Sequence, residues 1–313
     1  MAIGTQTTYD IDVADVEYLR HGDKPLLATV FKPRGSGPFP IMVELHGGAW
    51  VRGARQNGNA ANEALAKNGV IVAALDFRVP PVAPYPASLA DIHYGIRWCK
   101  SQAQAWRGRP DRIGAMGTSS GAHQAMLLGM RPRDSRYGAL PLLGGASVDG
   151  TLGCVIMVSP VIDPLGRYHY AKGLRQDCTP PAGLADRVVP MHDQYWQTEE
   201  AMAEGAPARI LARGERTATP PVLCVARSHE EARRMSAICF MRMAFGVAAA
   251  ICERYQAQSW CAITTMRRVP CASTRASRRR RKKLKSFGTS SARVIGSMPP
   301  GTAMKSVPIP ASR

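Results

Sequence analysis

At 313 residues and 45% hydrophobic content, the chain is long enough to bury one large α/β core, and no stretch reaches the roughly 18 apolar residues of a membrane span. Its formal net charge of +18 would point to nucleic acid or an anionic membrane if it were spread over a folded surface. It is not spread: 18 Lys and Arg against three Glu fall in residues 226–313, so that segment carries +15 and residues 1–225 only +3.

The first ten residues have no basic stretch followed by an apolar core, so a soluble, cytoplasmic chain is expected. Cysteines occur singly, with no C-x-x-C pair, so neither a zinc site nor a redox motif is indicated.

In chain order, residues 26–31, the polar turn 35–38 and the apolar run 40–45 read as strand, turn, strand, and the second strand ends on His46-Gly47-Gly48-Ala49-Trp50. Residues 62–68 have helical composition and stop at Gly69. The continuous apolar run 70–75 is of the kind buried on both faces of a parallel sheet. After the Pro-rich loop 80–86, residues 87–106 place Leu89, Ile92, Ile96 and Cys99 at helical spacing. Residues 112–116 form a short strand leading into Gly117-Thr118-Ser119-Ser120-Gly121, and 122–130 continue as a helix. Residues 154–158 and 222–225 supply two more buried strands. Between them, 163–219 fit an irregular or helical insertion over a sheet edge. Strands alternating with helices predict α/β architecture, a mostly parallel, doubly wound sheet.

The chemistry centres on Ser119. A serine hydroxyl is a weak nucleophile, so it must be held exposed on a strained strand-to-helix turn, with glycines two residues to either side where a side chain would clash. Gly117 and Gly121 meet that need. The helix that follows aims its first amides at the site, so Ser120 is one expected donor to an oxyanion. A second donor is expected from the His46-to-Trp50 loop, where Gly47 and Gly48 let the backbone approach, and Gly48 and Ala49 are the assigned amides. Each motif alone is weak; both together, each after a strand, are strong.

These motifs, with Pro84-Tyr85-Pro86, Asp91, Trp98 and the stretch 117–123, resemble the bacterial esterase/lipase family of α/β-hydrolases. Kynurenine formamidase-like and feruloyl-esterase-like members share the H-G-G-x-W pattern. The resemblance spans about residues 26–225. It implies the α/β-hydrolase fold and hydrolysis of a small carboxylic ester, less often an amide, through an acyl-serine intermediate with no cofactor and no metal.

The resemblance also implies a triad acid just after a late strand and a histidine near the C-terminus that takes the serine proton. After the strand at 222–225 the chain reads Ala226-Arg227-Ser228-His229-Glu230-Glu231, which places Glu230 where the acid belongs. No histidine follows His229, so the expected C-terminal base has no candidate and the triad is incomplete as written, with His229, His169 and His192 left as makeshift alternatives. His46 is expected to shape the oxyanion loop, and His123, one helical turn past Ser119, to pack. His169 and His192 lie in the insertion, and Asp163 reads as a loop or cap residue.

Composition changes abruptly near residue 225. Residues 226–313 lose the strand and helix pattern, are rich in Arg, Ala, Ser, Pro and Cys, and include the basic run 278–285. The expected organisation is a catalytic domain over 1–225 with a cap at 163–219, then a basic, atypical tail matching an out-of-frame reading of a GC-rich gene, with the C-terminal part of the fold incomplete or disordered. Resequencing tests the frame. Two further readings are an impaired hydrolase-fold protein lacking the triad histidine and a basic protein that binds nucleic acid through 278–285. That run has no aromatic interleaving, so no specific nucleic-acid or membrane partner is expected.

Overall fold

The computed structural model describes residues 8–144, 147–176, 182–226 and 262–263. Among them, eight strands form one sheet in the order β1 (Ile11–His21), β2 (Lys24–Pro33), β4 (Ile71–Leu75), β3 (Phe39–Leu45), β5 (Gly108–Thr118), β6 (Cys154–Val158), β7 (Val222–Ala226) and β8 (Ala262–Ile263). β2 is antiparallel to both β1 and β4, β3 runs parallel to its neighbours β4 and β5, and the parallel order continues through β6 to β7. β8 closes antiparallel on β7.

The apolar runs read from the sequence are the central strands. Every residue of β4 is buried, as a strand covered on both faces must be. Alternation along the pleat divides the core. Val43, Leu45, Ala73, Leu75 and Ala115 belong to one cluster with Leu89, Ile92 and Ile96 of α2 (Ala87–Gln102) and Leu127 of α3 (Ser120–Met130). Met42, Val72, Ala74 and Met116 form the opposite face with Leu65 and Ala66 of α1 (Asn59–Lys67). The mostly parallel α/β sheet with flanking helices is therefore present as expected.

One feature was not read from the sequence. β1 was not anticipated, because its residues are mostly exposed, with Tyr18 the one fully buried, and backbone pairing to β2 rather than apolar burial defines it. Between β6 and β7 the described residues form α4 (Pro164–Gln176), α5 (Ala182–Trp196), α6 (Glu199–Glu204) and α7 (Pro207–Ala212). Thr198 caps α6, its hydroxyl accepting from the Ala201 amide at 3.1 Å, and Pro207 opens α7 where its missing N–H is harmless. Of these helices, α4, α5 and α6 pack together against the loop at the carboxyl end of β3. Their own small core, with Leu165, Tyr168, Val188, Tyr195 and Trp196, closes on Trp50 of the loop after β3.

No described helix is long and apolar enough to cross a membrane. His229, Glu230 and the basic run 278–285 lie outside the described residues.

Candidate active site

β5 delivers Ser119 to the carboxyl edge of the sheet, and α3 begins at the next residue. Ser119 holds φ 55° and ψ −114°, a backbone region that L-residues other than glycine rarely occupy, so the turn is strained. Its ends are tied: the Ser119 amide donates to the Val158 carbonyl at 2.8 Å, and its own carbonyl accepts from the His123 amide at 3.1 Å. The flanking glycines are required by packing. A Cβ on Gly117 would lie 2.4 Å from the Gly121 carbonyl carbon, and one on Gly121 would lie 2.2 Å from the Leu45 carbonyl oxygen. The turn thus wedges its helix directly against the end of β3.

That wedge brings the two sequence motifs together. A Cβ on Gly47 would stand 3.5 Å from the Ser119 Cβ and 3.0 Å from the Thr118 oxygen. The loop then passes through three residues of positive φ, Gly48 at 125°, Ala49 at 54° and Trp50 at 65°. At Gly48 a side chain would collide with the Arg52 carbonyl at 1.9 Å. The Gly48 carbonyl accepts from the Val51 amide at 3.2 Å, but among the described residues neither the Gly48 nor the Ala49 amide donates a hydrogen bond. With the first amides of α3, unpaired at any helix start, they are available to a negatively charged oxygen.

His46 supports the loop. Its ring stacks on Phe77 with centroids 4.2 Å apart, its Nδ1–H donates to the Gly47 carbonyl at 2.8 Å, and burial holds its pKa below the ordinary value. Trp50 turns its buried indole the other way. Its Nε1–H donates to His123 Nδ1 at 3.1 Å, which fixes the tautomer, so His123 Nε2–H donates to the Gly205 carbonyl at 2.8 Å. Burial pushes His123 down to about 4, and with both nitrogens engaged it is a neutral packing residue joining the elbow helix to the segment before α7. Trp50 also stacks on Tyr195, 5.5 Å between centroids.

The remaining motif residues brace this arrangement. Asp91, fully buried at the start of α2, accepts from both the Arg78 guanidinium, at 2.8 and 2.9 Å, and the Arg78 amide at 3.0 Å, and pairs with His21 at 2.8 Å. Tyr85 OH donates to Glu204 and meets Tyr137 OH at 2.9 Å. Trp98 packs at 5.7 Å from Tyr18. Asp163 accepts from the Gly166 amide at 3.0 Å and from Arg209 at 2.8 Å, which makes it the cap of α4. His169 pairs with Glu199 at 2.7 Å on the surface, and His192 donates to the Val188 carbonyl within its own helix. Among the described residues no histidine is hydrogen-bonded to the Ser119 hydroxyl.

A cavity of about 680 Å³ opens at Ser119, lined also by His46, Gly47, Gly48, Glu44, Asn62 and Met116. Glu44 is the residue that sequence reading passed over. The available signal was a lone carboxylate in the apolar strand Phe39–Leu45. Burial pushes its carboxyl up to about 7.

Among the described residues, a mainly parallel eight-stranded sheet with a strained serine turn after its fifth strand, set against a Gly-Gly loop after its third, defines the α/β-hydrolase fold. Residues 29–155 match the family model described as BD-FAE. Esterase LipC of Mycobacterium tuberculosis is 32% identical over 215 residues, 64% of this chain and 51% of that protein, so the chain spans about half the length of this relative. Among solved structures, esterase B from Lactobacillus rhamnosis superposes with a TM-score of 0.55 at 20% identity, covering 69% of this chain and 66% of that one. A hyperthermophilic esterase from Pyrobaculum calidifontis does so with a TM-score of 0.53 at 20% identity, covering 70% and 66%. The chain is thus similar to bacterial esterases over its first two thirds, and the solved structures share its fold.

Proposed function

We propose that this chain is a serine carboxylic ester hydrolase whose Ser119 hydroxyl attacks the ester carbonyl. The observation that carries the reading is the strained Ser119 backbone, held by the Gly117–Gly121 contact directly beside the Gly47-Gly48 loop. The tetrahedral oxyanion takes hydrogen bonds from the amides of Gly48, Ala49 and Ser120, donors aimed before the charge develops. The alcohol leaves, Ser119 carries the acyl group, and water releases it as the acid. No step calls for a cofactor. Residues 1–225 act as the catalytic domain, helices within 163–219 as its cap, and 226–313 as a basic tail. Beyond β7, Glu230 takes the place of the triad acid and His229 that of a makeshift base.

One observation favours a second reading, a hydrolase with crippled proton transfer. Each of the six described histidines bonds a partner other than Ser119, and loss of the base lowers turnover by several orders of magnitude. Hydrolysis of p-nitrophenyl acetate and butyrate by the full chain beside Ser119→Ala, with fluorophosphonate labelling, separates the two. Ser119-dependent turnover supports the esterase, and His229→Ala should then abolish it. Hydrolysis equal to the Ser119→Ala background, with no labelling, establishes the crippled form.

A further inference from the structure

One wall of the serine cavity carries chemistry that ester cleavage leaves unused. Glu44 lies on β3 in register with Met116 of β5, on the sheet face otherwise formed by Met42, Met116 and Val72. It is 5% exposed and Asn62 of α1 is 0% exposed. A Cβ on Gly58 would meet Glu44 Oε1 at 3.0 Å and Asn62 Nδ2 at 3.2 Å, so carboxyl and amide both stand against that glycine. Asn62 stands near enough to draw the Glu44 carboxyl down against the burial that raises it, yet no hydrogen bond of good geometry closes between them, and Glu44 Oε2 and both amide atoms of Asn62 have no partner among the described residues. Both residues line the same cavity as Ser119.

Buried polar groups left open are unfavourable, and proteins satisfy them with water or with a ligand. The group that fits this wall must both give and accept. A hydroxyl does so with one atom, its O–H donating to Glu44 Oε2 and its oxygen accepting from Asn62 Nδ2. An alkyl chain here would leave all three atoms desolvated and unpaired. Met116, the register partner of Glu44, stands three residues before Ser119. At about 3.3 Å per strand residue the polar wall is roughly 10 Å from the serine, the reach of a medium-length acyl chain.

We propose that Glu44 and Asn62 form a specificity subsite for esters whose acyl chain bears a distal hydroxyl. This rests on the reading of Ser119 as the acylated residue, and the test keeps the two apart. Full-length wild type, Glu44→Leu and Glu44→Gln are compared on p-nitrophenyl hexanoate and p-nitrophenyl 6-hydroxyhexanoate. Ligand-observed NMR with hexanoate and 6-hydroxyhexanoate gives a second readout that needs no turnover. Wild type should favour the hydroxylated member by about tenfold, the worth of one buried hydrogen bond. Glu44→Leu should invert the ratio, and Glu44→Gln, whose amide oxygen still accepts, should keep most of it. Circular dichroism and melting confirm that both variants fold. Equal binding of the two acids by wild type, binding of neither, or a ratio unchanged in Glu44→Leu overturns the subsite and leaves water as the occupant. A binding preference without turnover upholds the subsite and sinks ester cleavage. Turnover without preference does the reverse.

Discussion

Glu44→Gln removes one titration from the interior while keeping the side chain's shape, so its effect is best read against pH. Burial raises the Glu44 carboxyl from 4.5 to about 7, and that gap corresponds to about 3 kcal/mol at 1.36 kcal/mol per pH unit. The sign follows from proton binding. The folded state holds the proton more tightly than the unfolded chain, so the contribution is fully present below pH 4.5 and is lost as pH rises through 7. Between pH 5 and pH 8 wild type should therefore lose about 2 kcal/mol or more relative to Glu44→Gln, whose amide stays neutral. Urea denaturation of both proteins at several pH values gives the difference, in which every other titrating group cancels. Parallel stability curves would refute the reasoning, because they would mean that Glu44 ionises without a desolvation penalty.

Three further outcomes follow from the site. Ser119→Gly should abolish fluorophosphonate labelling yet raise stability by about 1 kcal/mol, because glycine relaxes the positive φ at 55°; thermal melting checks the sign. Gly121→Ala should lose more than about 4 kcal/mol and fail to accumulate in soluble form, since its Cβ would fall 2.2 Å from the Leu45 oxygen, which belongs to β3 itself. Arg78→Ala takes the guanidinium from fully buried Asp91, leaving it His21 and the residue-78 amide, and should destabilise the fold by about 3 kcal/mol in denaturant titration, with Arg78→Lys recovering only part, because a single ammonium cannot replace the two-pronged guanidinium contact.

The sequence by itself determined the parts of this protein that depend on short-range pattern. Continuous apolar runs marked the central strands because a strand covered on both faces has no polar side to show, and Leu89, Ile92 and Ile96 marked α2 by their spacing. Ser119, Gly117, Gly121 and the His46-to-Trp50 loop were legible because a strained turn and a close backbone approach restrict which residues can stand there. Tertiary structure decided what depends on partners far along the chain. β1 exists because β2 pairs with it, not because its residues are apolar. His123 became a packing residue only when Trp50, 73 positions away, donated to one nitrogen and Gly205, 82 positions away, accepted from the other. Glu44, unremarkable in sequence, became a buried carboxyl on the serine's own cavity once α1 set Asn62 beside it. Desolvation and hydrogen-bond satisfaction are properties of the assembled interior, and no local pattern of residues encodes them.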